Sequence, residues 1–575
     1  MLKVYRNLKP FTFSILGIVV LQFLQVMANL YLPNLMSDIT NYGIMKDDVP
    51  YIWRTGGWML LIAAGGVVCA VCSSFLGSRT AMGLGSSLRS QIFRHVESFS
   101  LHEFDQFGAS TLITRTTNDI VQIQFVTVML LNMMLQAPIT AVGGTILAVQ
   151  KDASMTIILA VALPVIALLI GLVAWKGIPL FRTVQFKIDK VNLVLREKLT
   201  GIRVIRAFDR VDHEAKRFEA TSRDLTETYI KVNRIMAVMM PAMMLVMNGV
   251  TLSILWLGAV RISQGSTNIG NLIAFMQYAM QILFALLMFS MLFILIPRAQ
   301  AAADRYNQVM ATVPGITDPK NPVHANAEAG YIEFKDVTFR YHGAEMPAVS
   351  QISFSAKPGE TTAIIGGTGS GKSTIVNLIP RFYDPEEGAV LVDGVDARTL
   401  TQAELRAKIG FVPQKAILFT GTIADNLRYG NDDASDEAVA HAAEVAQASD
   451  FIAEMKEGYD TLLSEGGLNL SGGQKQRLSI ARALVRKPEI YVFDDSFSAL
   501  DFKTDAKLRA ALKKETKDST VIIVAQRVGT VMDADRIIVL DEGKVAGVGR
   551  HRELMETCEV YREIVSSQLS KEELA

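Results

Sequence analysis

From Phe11 to Met36 the chain carries no charged residue, and the first to follow is Asp38. A helix rises about 1.5 Å per residue, so a run of this length crosses the roughly 30 Å hydrocarbon core of a bilayer. It is too long for a signal-peptide core and lacks a small-residue cleavage site, so it reads as retained. Further apolar runs follow at about 56–78, 127–149, 153–175, 235–260 and 268–296. Six spans are therefore expected. At 575 residues the chain is too long for one domain and has room for a differently built second half.

The connections between spans alternate in length. The two long ones, about 79–126 and 176–234, hold Arg79, Arg89, Arg94, Arg115, Lys176, Arg182, Lys187, Lys190, Arg196, Lys198, Arg203, Arg206 and Arg210. Lys3, Arg6 and Lys9 precede span one. The positive-inside bias places both termini and both long connections in the cytoplasm. Both connections show helical periodicity, as in Ile188–Leu199 and Glu214–Val232. They are expected to extend the membrane helices, with short transverse turn helices near Phe104–Leu112 and Phe208–Phe218.

The sequence changes character near residue 320. A stretch from Val313 to Gly330 with Pro314, Pro319 and Pro322 reads as a linker. Beyond it, Tyr331–Phe334 and Val337–Tyr341 alternate like paired strands. Then Gly366-Gly367-Thr368-Gly369-Ser370-Gly371-Lys372-Ser373 matches the phosphate-binding loop. The β-branched run Thr361–Ile365 precedes it, and Thr374–Ile379 opens a helix after it. Backbone N–H groups of such a loop close around phosphate oxygens, helped by the helix N-terminus. Lys372 would reach the outer phosphates and Ser373 would hold Mg²⁺. Gly410–Gln414 ends a strand in an amide, and a helical region follows from about Ser435 to Lys456. Leu470-Ser471-Gly472-Gly473-Gln474 opens a helix whose dipole again favours phosphate. Ile490–Asp494 is a buried strand ending in a carboxylate, the Walker-B pattern that sets an aspartate beside Mg²⁺. Val521–Ala525 is another core strand and runs into Gln526.

Composition excludes some classes. Formal net charge is zero and no basic stripe is present, so nucleic acid is not an expected partner. Cys69 and Cys72 form a C-x-x-C inside an apolar helical run with no second ligand pair, so they read as small packing residues. Many of the 25 methionines fall at Met236–Met247 and Met276–Met291. They suit helix packing or lipid contact, a soft surface for varied hydrophobic ligands, or haem ligation.

These motifs, in this order, resemble the ATP-binding cassette transporters, and more narrowly the half-transporters of bacterial exporter type. Leu470–Gln474 is that family's signature unaltered. The membrane half matches more loosely, through six spans and Phe104-Asp105-Gln106-Phe107-Gly108 with Arg115, Asn118 and Asp119. The resemblance implies an all-α six-helix transmembrane domain (1–312), a linker (313–330) and an α/β P-loop nucleotide-binding domain (331–575). It implies ATP and Mg²⁺ as cofactors. Tyr341 would stack on adenine, and Gly366–Ser373 with Thr374 would cradle the phosphates. Ser373, Asp494 and Gln414 would hold Mg²⁺, with Gln414 also near the attacking water. In this family two cassettes pair head to tail. Leu470, Ser471, Gly472, Gly473, Gln474 and Asp501 would then serve the nucleotide of the opposite subunit.

Two positions depart from the family. Asp495 stands where fast hydrolysers carry glutamate, and Gln526 stands where they carry histidine. Aspartate draws the carboxylate back by roughly 1.5 Å, one C–C bond. Glutamine hydrogen-bonds but neither carries charge nor shuttles protons. A weaker departure is Leu463–Gly467. Both stronger changes fall in the hydrolytic set while the phosphate loop, Asp494 and the signature stay intact. The expectation is an ATP hydrolase coupled to transport, slow at its own site, paired with a non-identical half-transporter that carries the missing residues. The cargo would be hydrophobic or amphipathic small molecules, multidrug-like, exported across a bacterial plasma membrane. A homodimeric exporter, uptake of siderophores or haem, and a non-transport ATP-driven regulator are the rivals. Gln136, Asn248, Gln277 and Gln281 are the polar span positions open to substrate or to helix packing.

Overall fold

The computed structural model describes residues 1–324 and 329–568, without the side chains at 174, 178, 181, 182 and 290–294. The side chains of Arg182 and Met291 and part of the expected linker thus lie outside what is described. The chain divides into two compact units. One is Met1–Val96 with Ser110–Ala311, the other Glu97–Ala109 with Thr312–Ala575.

In the first unit, six helical stretches are long and apolar enough to cross a membrane: Leu2–Lys46, Val49–Glu97, Ala109–Lys151, Thr156–Gly177, Val211–Ser263 and Ile269–Phe289. Each contains all or most of one expected span. The helices Thr156–Thr200 and Val211–Ser263 run on well past bilayer length, to 45 and 53 residues. They pack on each other, while Asn118–Lys151 packs on Ile269–Ala311 and Thr12–Asp38. The core between helices includes Val26, Leu30, Leu159, Ile166, Ile254, Phe275 and Tyr278. Several polar groups of this unit find partners, as is favoured where water is absent. Tyr278 donates to the Leu30 carbonyl at 3.0 Å, and Ser37 to Asn271 at 2.9 Å. Gln281 reaches the Asn29 carbonyl at 3.4 Å. Arg261 meets Asp152 at 2.8 Å, and Asp152 also accepts from the backbone of Ser154 and Met155. Met243 is buried among these helices and Met240 and Met244 are exposed, so the methionine run both packs and faces outward.

The transverse turn helices are shifted from where the sequence suggested. The first is Leu101–Phe107, closed by a capping box between Ser100 and Glu103. The second is Ile202–Ala207, and Val211 already starts the next long helix. Gly108 and Asp209, both at positive φ, make the actual breaks.

The second unit holds the strands β1 (Ile332–Phe339), β2 (Val349–Ala356), β3 (Thr361–Gly366), β4 (Glu387–Val392), β5 (Val395–Asp396), β6 (Ile409–Val412), β7 (Gly421–Thr422), β8 (Leu462–Leu463), β9 (Ile490–Asp494), β10 (Thr520–Val524), β11 (Arg536–Asp541) and β12 (Lys544–Gly549). An antiparallel sheet runs β2-β1-β4-β5, and a larger sheet runs β12-β11-β3-β10-β9-β6. In the larger sheet β11, β3, β10, β9 and β6 are parallel. The two strands expected at 331–341 are one bulged strand. Its register shifts between Phe334 and Val337, where Asp336 sits at φ 48° and bonds Ser353. The parallel strands are buried on both faces. Ala363, Ile365, Tyr491, Phe493, Val521 and Ile523 join one core, while Ile364, Ile490, Val492, Ile522 and Val524 join the other. This period-two division explains why these strands read as unbroken apolar runs.

Candidate functional site

Parallel strands deliver their carboxyl ends to one edge of the sheet, where loops are free to carry chemistry. β3 ends at Gly366, β9 at Asp494, β10 just before Gln526 and β6 just before Gln414. Because β10 lies between β3 and β9, the phosphate loop, the Walker-B pair and Gln526 come from neighbouring strands.

The phosphate loop turns into the helix Lys372–Leu378 through Gly371 at φ 94°. A Cβ there would lie 2.5 Å from Val349 Cγ1 and 2.9 Å from the Ala348 carbonyl, so glycine is required twice over. Lys372 is only 9% exposed, and its ammonium donates to the Gly366 and Gly367 carbonyls at 2.8 and 2.7 Å. Burial pushes its pKa down, and the carboxylates of Asp495 and Asp494 push it back. Ser370 is buried and its hydroxyl has no partner. Ser373 Oγ donates to Asp494 Oδ1 at 3.2 Å. A hydroxyl beside a buried carboxylate, below a cradle of backbone N–H groups, fits a magnesium-bound polyphosphate. Asp494 is 6% exposed, and burial raises its pKa while the Ser373 bond and Lys372 lower it.

Asp495 is 8% exposed and sits at φ 46°, a left-handed conformation that costs a non-glycine residue. Its backbone N–H reaches the Val524 carbonyl at 3.0 Å. One carboxylate oxygen, Oδ2, accepts from Gln526 Nε2 at 3.0 Å and from Gln414 Nε2 at 3.4 Å. The three residues that the sequence set apart as hydrolytic are thus brought together, with two amides on one short carboxylate. Burial raises the Asp495 pKa, and the bonds from Ser498 and Gln414 oppose that rise.

Tyr341 is 37% exposed, and its hydroxyl shares a hydrogen bond with Thr374 Oγ1 at 3.1 Å. That bond joins the expected base platform to the phosphate loop's helix. Phe339 and Tyr383 meet the Tyr341 ring edge-on at 5.0 and 5.5 Å. Tyr383 lies in a loop of mixed polarity, so periodicity could not single it out. The run Arg381-Phe382-Tyr383-Asp384, shortly after the loop's helix, was the available signal.

The signature forms the N-terminus of the helix Gly472–Arg486. Ser471 accepts from the Gln474 N–H at 3.3 Å and Gln474 accepts from the Ser471 N–H at 2.9 Å, a reciprocal cap. Leu470 is buried, whereas a Cβ on Gly472 would meet open space. Asp501 caps the helix Phe502–Glu515 through the Thr504 N–H at 2.9 Å. No hydrogen bond joins Leu470–Gln474 to the phosphate loop of the same chain among the described residues. Cys69 and Cys72 are free thiols, and no cluster of metal-ligating side chains occurs among the described residues.

Comparison with known proteins finds two families along the chain. Residues 15–287 match the family described as ABC transporter transmembrane region, and residues 349–498 match the family described as ABC transporter. An uncharacterized ABC transporter ATP-binding protein of Mycobacterium tuberculosis is 41% identical over 98% of this chain and 97% of its own length. The uncharacterized ABC transporter ATP-binding protein YfiB of Bacillus subtilis is 38% identical over 100% of this chain and 99% of its own. The ATP-dependent lipid A-core flippase of Hahella chejuensis is 32% identical over 87% and 85%. Among solved structures, a bacterial Atm1-family ABC exporter with ATP bound superposes with a TM-score of 0.81. It covers 97% of this chain and 98% of its own, at 26% identity.

Proposed function

Because the chain belongs to the ABC transporters, with a six-helix membrane half of exporter type joined to an ATP-binding half, we propose that it is one subunit of a heterodimeric exporter whose own site binds MgATP and hydrolyses it slowly. The observation that carries this reading is the clamp on Asp495. Its carboxylate is one methylene short and is held by the amides of Gln414 and Gln526. A general base must reach its proton, and its loss typically costs about 10²- to 10⁴-fold. An amide in place of a histidine supplies no proton transfer there.

ATP supplies the phosphoanhydride and Mg²⁺ the charge that offsets its phosphates. The chain's own residues bind and orient. Lys372 exchanges two backbone carbonyls for outer phosphate oxygens, and the N–H groups of Gly366–Ser373 with Thr374 close around the rest. Ser373, Asp494 and Gln414 hold the metal. Tyr341 stacks on the base, fixed by Thr374. Ser471, Gly472, Gly473 and Asp501 face outward to a second cassette, where Leu470 and Gln474 set the helix that presents them. The intact signature then completes the partner's competent site. Residues 1–312 form the membrane domain, 313–330 the linker and 331–575 the cassette. Both termini face the cytoplasm of a bacterial plasma membrane.

The cargo class we assign is hydrophobic or amphipathic small molecules. Spans nearly free of charge and their exposed methionines support it, as does similarity to a protein named as an ATP-dependent lipid A-core flippase. A homodimeric exporter with two slow sites is the second reading, favoured by the carboxylate that Asp495 still retains beside Gln414. The discriminating measurement is Mg²⁺-dependent ATPase activity of the chain purified alone and with the half-transporter that co-purifies. Negligible activity alone, with robust activity in the pair that a Glu→Gln change in the partner abolishes, is the expected outcome. Robust activity alone overturns the heterodimer.

A further inference from the structure

β10 is paired on both sides up to Val524, and the Ala525 N–H still reaches the Ile364 carbonyl at 3.1 Å. Past that bond the strand has ended, yet the next residue is Gln526, whose side chain has to find Asp495. Gln526 and Arg527 are exposed, while Val528 is buried in the core beneath them. An exposed amide at a strand end gains conformational entropy by leaving its partner. Something besides the sheet must hold it.

The hold comes from the helix Glu559–Gln568. Its residues Tyr561 and Val565, one turn apart, are fully buried on one face. The Tyr561 hydroxyl pairs with His551 Nδ1 at 2.9 Å, which ties this helix to the preceding one, His551–Thr557. Gln568 follows three positions after Val565 and so emerges at the edge of the same face. Its Nε2 donates to the Gln526 carbonyl at 2.8 Å, and its Oε1 accepts from the Val528 N–H at 2.8 Å. Arg527, between those two groups, is extended, with φ −95° and ψ 128°. In an extended chain the carbonyl before a residue and the N–H after it point to the same side. The side-chain amide of Gln568 therefore stands in for the peptide of a neighbouring strand and carries ladder pairing past the end of β10. Two further contacts hold the same segment. The Arg527 guanidinium lies over the Phe502 ring at 5.6 Å, and Arg509 donates to the Gly529 carbonyl at 3.1 Å.

We propose that Gln568 is a positioning residue for Gln526. Its amide fixes the backbone on both sides of Arg527, and so fixes the point from which the Gln526 side chain reaches Asp495 Oδ2 at 3.0 Å. The helix Glu559–Gln568 thereby sets the geometry of the hydrolytic groups from outside them. This deepens the reading given above, since it rests on Asp495 and Gln526 as the hydrolytic set of this site.

The test uses the full-length chain purified alone. ATP turnover is measured in the parent and in a restored form that carries Asp495→Glu and Gln526→His. Gln568→Leu is placed in each, which keeps a helix-forming side chain of similar bulk and removes both bonds. In the restored form it should lower kcat by about threefold to tenfold, what one net hydrogen bond is worth, with KM for MgATP held within about twofold. The fractional loss should be smaller in the parent, where residue 526 moves no proton. A merely structural role would scale both forms alike. Hydrogen exchange of the Val528 amide is the second readout, and Gln568→Leu should speed it by about threefold to tenfold in the parent. Equal losses in the two forms, or exchange at Val528 left at the parent rate, overturn the proposal. The restored form also tests the reading beneath it. If it turns over no faster than the parent, that reading fails, and exchange at Val528 then decides the hold by itself: faster exchange in Gln568→Leu upholds it, unchanged exchange overturns it. If the restored form is faster and Gln568→Leu costs it nothing, the positioning role alone fails.

Discussion

At the scale of single residues, the clamp around Asp495 makes the sharpest expectations. Asp495→Glu restores the reach of the carboxylate, and Gln526→His restores a group that can carry a proton. The double variant, purified alone, should raise ATPase activity about tenfold or more over the parent, within the range a positioned base provides. No gain from the pair would place the defect elsewhere in the site. A second expectation concerns pH. Burial holds the carboxyls of Asp494 and Asp495 above the ordinary value of 3.8. In the window between 3.8 and those raised values the folded protein binds more protons than the unfolded chain. Stability contributed by the pair therefore falls as pH rises through that window, and it stays low at neutral pH. Asp494→Asn removes one buried charge, so without nucleotide and metal it should melt above the parent at pH 7. The gap should narrow on acidification toward pH 4. A gap independent of pH would show that charge burial is not its cause. The family resemblance singled out these residues as candidates, whereas the shared acceptor oxygen of Gln414 and Gln526 was not legible. Those side chains lie 81 and 31 positions from Asp495 and converge only at the strand ends.

At the scale of elements, the phosphate loop and the signature were readable to within a residue or two, because their chemistry is local. Glycine at a fixed offset, a β-branched run before it and a helix after it determine one backbone path. Gly371→Ala should abolish nucleotide binding, as its Cβ meets Val349 and Ala348 at φ 94°, measurable as loss of ATP-analogue binding with secondary structure kept. Ser471→Ala removes one half of a reciprocal helix cap, worth about 1 kcal/mol. Its larger effect should be on a partner's ATPase rate, with this chain's own nucleotide affinity unchanged. Where the sequence misled, the cause was non-local. The two expected strands at 331–341 are one because the Asp336 bulge interrupts the alternation without ending the strand. The turn helices fell earlier than expected because Gly108 and Asp209, both at positive φ, break the chain after them.

At the scale of the whole molecule, each unit keeps its own core, and the entry to the cassette is tied by a buried carboxylate. Asp393, 1% exposed, accepts from the Gly330 and Tyr331 N–H groups at 2.6 and 3.0 Å. It also pairs with Lys408 at 2.8 Å, and Lys408 reaches Glu489 at 2.9 Å. Asp393→Ala leaves Lys408 with Glu489 alone and takes the acceptor from the buried Gly330 N–H, an unsatisfied donor that costs about 1–3 kcal/mol. Asp393→Ala should therefore lower the melting temperature of the cassette while a bound ATP analogue recovers part of the loss. A melting temperature within a degree or so of the parent's would mean that the linker is held by its other contacts.

The sequence by itself determined the class of protein. Uncharged runs of bilayer length allow little but membrane helices, since backbone polar groups find no partner in hydrocarbon except each other. A glycine loop between strand and helix allows little but phosphate binding. Both are constraints between near neighbours in the chain, so they survive without coordinates. Only the tertiary structure decided that Gln526 and Gln414 share one oxygen of Asp495, and that Glu103 meets the Gly315 N–H. Those are meetings of residues far apart in sequence, made by strand order and by the return of a short helix to the cassette. No periodicity encodes them.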